Sequence, residues 1–275
     1  MKKHDKVVQT VSANSEGKKV FYMKRFEGKV VLITGGGQGI GRGVSNAFAA
    51  EGANLIITGR TLSKLEKAKE EIEKEYGVKV VPVTADGGDE EQVKNAIETG
   101  VKALGRLDAV VNNAQNSASG VNLIDHTKED FDKAIYSGLY ATFFYMKHAF
   151  PYLKETKGSV VNFASGAGLF GKLGQSSYAA AKEGIRGMSR VAASEWGPDG
   201  VRVNVVCPLA MSEGLAQWKE AYPDLYEKTI QSIPLGHFAD PQKDIGRVCV
   251  FLASEEASYV TGETITLQGG SGLRP

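Results

Sequence analysis

The chain has 275 residues, 42% of them apolar and 24% charged, and its net charge is +1. That balance suits one large α/β domain with a substantial core, or two small ones, and excludes a field suited to nucleic acid or an anionic membrane. No apolar run approaches the roughly 20 residues that span a bilayer. Cys207 and Cys249 read as buried reduced thiols and the four scattered histidines offer no ligand spacing, so a cytoplasmic protein without a metal is expected.

The N-terminus leads into a polar stretch without the apolar core of a signal peptide. Residues 1–26 hold two β-prone runs, 6–11 and 18–23, around a turn-rich 12–17, the pattern of a hairpin or of a frayed extension. From residue 27 to 275, short apolar runs alternate with helical stretches, which predicts a single α/β domain built on a doubly wound parallel sheet of about seven strands. The expected strands are 30–34, 54–58, 78–84, 109–112, 159–163, 202–207 and 264–267. Most are continuously apolar, as strands covered on both faces should be.

Directly after the first of these strands comes Thr34-Gly35-Gly36-Gly37-Gln38-Gly39-Ile40-Gly41, running into a helix near Arg42. Glycines let the backbone turn tightly beside a ligand, and the helix N-terminus favours a phosphate. The order of strand, loop and helix predicts a nucleotide site although the spacing is Gly-x-x-x-Gly-x-Gly. At the end of the second strand Thr58-Gly59-Arg60 places an arginine where a carboxylate would hold a free ribose 2′-hydroxyl. Arg60 suits a 2′-phosphate, so NADP(H) is favoured over NAD(H), although Gln38 brings no second cation. Residues 62–76 then form a helix with an apolar stripe of Leu65, Ala68, Ile72 and Tyr76.

After the 159–163 strand come Ser165, Tyr178 and Lys182. Tyr178 and Lys182 are four apart, so on a helix they share one face. An ammonium beside the phenol favours the ionised form and brings the tyrosine toward the range useful for acid-base chemistry. Farther on, residues 209–234 carry Leu215, Trp218, Tyr222, Leu225 and Tyr226, enough bulk for a substrate lid or for packing against the domain or another subunit. A helix is expected from near Pro241.

These pieces together resemble the classical short-chain dehydrogenase/reductase family, a Rossmann-fold family, over about residues 26–270. The resemblance implies cofactor contacts from Gly35, Gly37, Gln38, Gly39, Ile40, Gly41 and Arg60, and identifies Asp86 with the adenine-contacting acid. It also matches Asn112-Asn113-Ala114-Gln115 to a strand-end motif whose Asn113 and Ala114 face the cofactor. It implies that Tyr178 exchanges a proton with the reacting oxygen, Ser165 hydrogen-bonds that oxygen, and Lys182 holds the nicotinamide ribose, with Tyr178 and Lys182 both touching the cofactor. Four positions depart from the pattern. Gly138 stands where the family has a catalytic asparagine, and a glycine-distorted helix is expected to preserve the water relay. Gln115 replaces a glycine and brings an amide near the cofactor or substrate. Leu209 follows Pro208 in place of glycine, and Gln268 replaces an acid.

The expected activity is interconversion of a secondary alcohol and a ketone. Ala167, Leu169, Phe170 and the aromatic 209–234 segment favour a bulky apolar substrate such as a hydroxysteroid or bile acid. A 3-oxoacyl thioester or small cyclic ketone is the alternative, and a nucleotide-binding scaffold or sensor with little turnover is the alternative of another class. The resemblance also implies a homotetramer, paired through the helices near 127–153 and 175–196, with Leu139, Phe143, Phe144 and Met146 available for the interface or for the intramolecular core.

Overall fold

The computed structural model describes residues 10–13, 19–22 and 24–272. Near the N-terminus, β1 (Thr10–Ala13) pairs antiparallel with β2 (Lys19–Tyr22), Thr10 opposite Tyr22. Of the expected 6–11 run, residues 6–9 lie outside the described residues, as do residues 14–18 between the two strands. Phe26, at the end of the expected extension, packs in the main core edge-on to Phe48 at 5.0 Å.

The main sheet holds β3 (Val30–Thr34), β4 (Asn54–Gly59), β5 (Val80–Thr84), β6 (Ala109–Asn112), β7 (Ser159–Phe163), β8 (Arg202–Pro208) and β9 (Thr264–Leu267). All are parallel, in the order β5-β4-β3-β6-β7-β8-β9. The chain winds outward from β3 in one direction, then returns to β6 and winds the other way. The direction of winding therefore reverses between β3 and β6, and it is outside the C-terminal ends of two such strands that open α/β sheets bind their ligands.

Alternation along each strand divides the core in two. Val31, Ile33, Leu55 and Ile57 face α1 (Gly39–Ala50), α2 (Leu62–Tyr76) and α10 (Arg247–Ala253), through Phe48, Leu65, Ile72 and Cys249. Val30, Leu32 and Ile56 face α3 (Glu90–Leu104), α5 (Ala141–Thr156) and α7 (Ser176–Trp196), through Ile97, Tyr145, Met146 and Ala192. Leu65, Ala68 and Ile72 of the expected stripe are buried and Tyr76 is partly so. Both cysteines are buried thiols.

Two helical regions are not regular. The helix before β7 begins as α4 (Lys128–Ala134), widens into a π segment over Ile135–Tyr140 with Gly138 inside it, and continues as α5. The expected helix at Pro241 likewise opens as a π segment, Pro241–Gly246, before α10. Ser165 starts the short α6 (Gly166–Phe170). The 209–234 segment forms α8 (Glu213–Ala221) and α9 (Pro223–Gln231). There Tyr226, Ile233 and Phe238 make a small core of their own, with Leu215 and Trp218 packed against it, while Tyr222 and Leu225 stay exposed. Among the described residues no helix is long and apolar enough to cross a membrane.

Candidate active site

A cleft of about 580 Å³ opens at the C-terminal ends of β3, β4, β5 and β6. Gly35, Gly37, Gln38, Gly39, Ile40, Arg60, Asp86, Asn113 and Ala114 all line it. Gly41 does not: it lies beneath the loop, where a Cβ would fall on the Gly35 carbonyl and come 2.6 Å from Asn113 Nδ2. Gly35 itself turns with φ +69, a conformation that L side chains rarely adopt. The loop is held from below by Ser45, whose hydroxyl lies 3.1 Å from the Gly36 carbonyl and 3.0 Å from that of Gly41.

Thr34 ties the two sides of the switch point together. Its Oγ1 accepts from the Asn113 and Ala114 backbone N–H groups at 2.9 and 3.0 Å, and its carbonyl accepts from Asn113 Nδ2 at 3.0 Å. The α1 helix starts with no side-chain cap and no acidic residue in its first turn, so its first N–H groups are left for an anion. Arg60 is exposed at the cleft wall and makes no side-chain hydrogen bond or ion pair among the described residues. Lys64, on the first turn of α2, also lines the cleft and donates to Gln38 Oε1 at 2.5 Å. It is the second cation that the loop sequence lacked. Asp86 is committed locally, accepting from Gly88 N–H at 3.0 Å.

Ser165, Tyr178 and Lys182 form a second group, one strand along the sheet, at the end of β7 and the first turns of α7. Lys182 is buried, and its Nζ donates to the Phe163 carbonyl at 2.7 Å while lying 5.5 Å from the Tyr178 ring centre. The Ser165 hydroxyl accepts from Ala167 N–H at 3.1 Å and lies near enough to the Tyr178 phenol to favour its ionised form. These three do not line the cleft walls described above, but β7 lies directly beside β6, Asn162 opposite Asn112.

The electrostatics depart from the expectation of a lysine-lowered phenol. Burial raises the Tyr178 pKa, the Ser165 hydroxyl opposes that rise, and the nearby Cys207 adds to it. Burial also pulls Lys182 down to about 7, with Cys207 opposing. The physical reason is that both groups share one desolvated site: the charge that should favour the phenolate is itself disfavoured. Acceptors for the two remaining Lys182 N–H groups, such as ribose hydroxyls, would restore that charge. The phenol that does line the cleft, Tyr145, donates to Thr58 Oγ1 at 2.8 Å and is pushed up to about 12 by burial, which leaves it unsuited to proton transfer near neutrality.

A buried polar chain runs from β6 through β7 to α7, beneath the two groups. Asn112 Nδ2 donates to Asn162 Oδ1 at 2.8 Å, and Asn162 Nδ2 donates to Ser189 Oγ of α7 at 2.8 Å. Thr34, Ser45, Lys64, Asn162 and Ser189 were not singled out from the sequence. Lys64, four residues after Arg60, meets Gln38 only through the fold, and the others lie in or beside runs that read as core.

With the geometry in place, known proteins give the site its context. The family model described as enoyl-(acyl carrier protein) reductase matches residues 35–271. A 12α-hydroxysteroid dehydrogenase from a Clostridium species is 58% identical over 256 residues, which covers 91% of this chain and 99% of that protein. The chain belongs to the classical short-chain dehydrogenase/reductase family. Among the family's other members, a 3-oxoacyl-(acyl-carrier-protein) reductase of Thermotoga maritima is 38% identical over 90% of this chain and 98% of that protein. The solved structure of levodione reductase superposes with a TM-score of 0.85 at 33% identity, covering 90% of this chain and 99% of that one. As a short-chain dehydrogenase/reductase the chain is an oxidoreductase of CH–OH groups in small molecules and uses a nicotinamide cofactor. The close-packed glycine loop, the uncapped start of α1 and the free guanidinium of Arg60 fit such a dinucleotide.

Proposed function

We propose that this short-chain dehydrogenase/reductase interconverts a hydroxyl and a keto group on a hydroxysteroid or bile acid with NADP(H). The observation that carries the chemistry is the Ser165, Tyr178 and Lys182 group: a phenol near a serine hydroxyl, beside a buried amine with one acceptor, at the end of a strand next to the nucleotide cleft. The bound nicotinamide supplies or accepts the hydride. Tyr178 gives its proton to the carbonyl oxygen in reduction, or takes it from the hydroxyl in oxidation. Ser165 donates to the same oxygen and fixes its position. Lys182 holds the nicotinamide ribose and, once its N–H groups find acceptors there, carries the charge that favours the phenolate.

Arg60, without a partner among the described residues, and Lys64 favour a 2′-phosphate, which supports NADP(H). Gly35, Gly37, Gln38, Gly39 and Ile40 would cradle the pyrophosphate, with Asp86, Asn113 and Ala114 on the nucleoside sides. The substrate reading rests on the hydroxysteroid relative and on an exposed apolar rim. Phe170 and Leu173 follow Ser165, and the Leu123–Ile124 loop is tied to the start of α7 by the Gly120 N–H to Gly174 carbonyl bond at 2.9 Å. Tyr222 and Leu225 of the 209–234 segment are exposed as well. The stacked Tyr136 and Tyr140 and the neighbouring Phe143 are exposed on the α4–α5 side, which supports a homotetramer; Met146, expected with them, is in the core instead. The two buried thiols suit the cytoplasm.

The decisive experiment follows NADPH and NADH oxidation over ketosteroids, small cyclic ketones, 3-oxoacyl thioesters and sugars. Turnover should be greatest with NADPH and ketosteroids, and Tyr178→Phe should lower it about 10³-fold while nucleotide affinity changes little. Equal turnover of small polar sugars would refute the substrate reading, and a Tyr178→Phe enzyme as active as the wild type would refute the proton donor.

A further inference from the structure

The chain leading into Tyr178 is fastened to the loop that follows β6. Gly120 and Gly174 meet backbone to backbone, a Cβ on Gly174 falling 2.9 Å from Gly120 Cα, and Val121 pairs with Gln175 in a parallel bridge. His126 closes this seam. Its Nδ1 lies 3.1 Å from the Asn122 carbonyl and 3.2 Å from Ser176 Oγ, and its Nε2 lies 3.0 Å from Ser177 Oγ.

The partners fix what each ring nitrogen does. A carbonyl only accepts, so Nδ1 carries a proton and donates to Asn122. Ser177 is fully buried, and among the described residues its hydroxyl meets His126 Nε2, to which it donates. The ring is therefore the Nδ1–H tautomer, with one nitrogen on each side of a junction. On one side, Asn122 and His126 are the two feet of an arc whose tip, Leu123 and Ile124, is 72% and 92% exposed. On the other, Ser177 precedes Tyr178 in the first turn of α7. Covering exposed apolar side chains favours binding most when they are already held in place, because ordering them on association costs conformational entropy. We infer that His126 is a positioning residue for the substrate: through Asn122 and Ser177 it holds Leu123 and Ile124 beside Tyr178, where a bulky apolar ketone is received. The inference rests on the proposed function for the identity of that substrate.

His126→Leu keeps much of the bulk and removes both ring nitrogens. It should raise KM for a ketosteroid about tenfold, the scale of a lost hydrogen bond. The kcat and the nucleotide affinity should change by less than about twofold, the pattern of lost substrate binding rather than lost chemistry. His126→Gln, whose amide oxygen can accept from Ser177 in place of Nε2, should recover most of the loss. Ser177→Ala should give a similar rise in KM and add little to it in the His126→Leu background. An unchanged KM in His126→Leu would overturn the inference, as would a fall in kcat or nucleotide affinity as large as the rise in KM. Should the variants not fold, the wild type decides. With its histidine ring nitrogens isotope-labelled and the other histidines substituted, NMR should show His126 Nε2 unprotonated, and a protonated Nε2 would overturn the inference. A wild type without ketosteroid turnover would instead overturn the proposed function, an outcome distinct from an active wild type whose KM His126→Leu leaves alone.

Discussion

Lys182→Met should make the protein inactive and, at mildly acid pH, more stable. Burial moves the lysine from 10.5 to about 7, and at about 1.4 kcal/mol per pH unit this disfavours the buried ammonium by about 5 kcal/mol at pH values below 7. Because the folded pKa lies below the unfolded one, the unfolded chain binds more protons between about 7 and 10.5. Stability therefore rises with pH across that window, is fully in place only above it, and is lost as pH falls through 7. Methionine, nearly equal in bulk, carries no such dependence. Integrated over the window, the advantage of the variant over the wild type should be about 3 kcal/mol greater at pH 6 than at pH 9. Guanidinium unfolding at both pH values and one protein concentration measures it, since any change in packing is common to the two and cancels. Parallel stability profiles for wild type and variant would refute the buried, weakly basic lysine.

Two further outcomes follow from the cleft and the surface. Arg60→Ala should raise KM for NADPH about 10- to 100-fold, the range for a charge-assisted hydrogen bond, with Lys64→Ala giving a smaller rise because Gln38 already engages it; steady-state kinetics in which NADH suffers equally would exclude a 2′-phosphate contact. Tyr140→Glu places a charge in the exposed aromatic stack beside Tyr136, at 5.0 Å, and Phe144, at 5.7 Å, and should reduce the mass seen by light scattering from that of a tetramer; an unchanged mass would place the interface elsewhere.

The sheet was legible because parallel strands covered on both faces must be continuously apolar. Four of the expected strands, 30–34, 109–112, 159–163 and 264–267, match the structure residue for residue. Ends set by pairing rather than by composition shifted: β5 begins at Val80, where its pairing with β4 begins, and β8 extends to Pro208 opposite Leu267. The cleft residues were legible for a similar reason, since glycines in a strand-to-helix turn have few other uses. The π segment was not, because Ile135–Tyr140 has an ordinary helical composition, although a distortion at Gly138 was expected from its replacement of an asparagine. Nor was the sign of the Tyr178 shift. Spacing placed a lysine beside a tyrosine, but only three-dimensional burial shows that the same enclosure disfavours both charges. Lys64 escaped notice because its approach to Gln38 joins two elements rather than two neighbours in sequence.

The small core of Tyr226, Ile233 and Phe238 is separate from the two cores that clamp the sheet. Leu209 and Ala239 close the segment at its base through a backbone bond at 3.1 Å, answered by Met211 N–H to the Ala239 carbonyl at 3.0 Å. The stretch between them is therefore a cassette with its own interior and a hydrogen-bonded hem. Its outward residues are free to diverge without disturbing the strands beneath, and such a cassette can be exchanged whole between relatives to alter which molecules a common proton-and-hydride engine accepts.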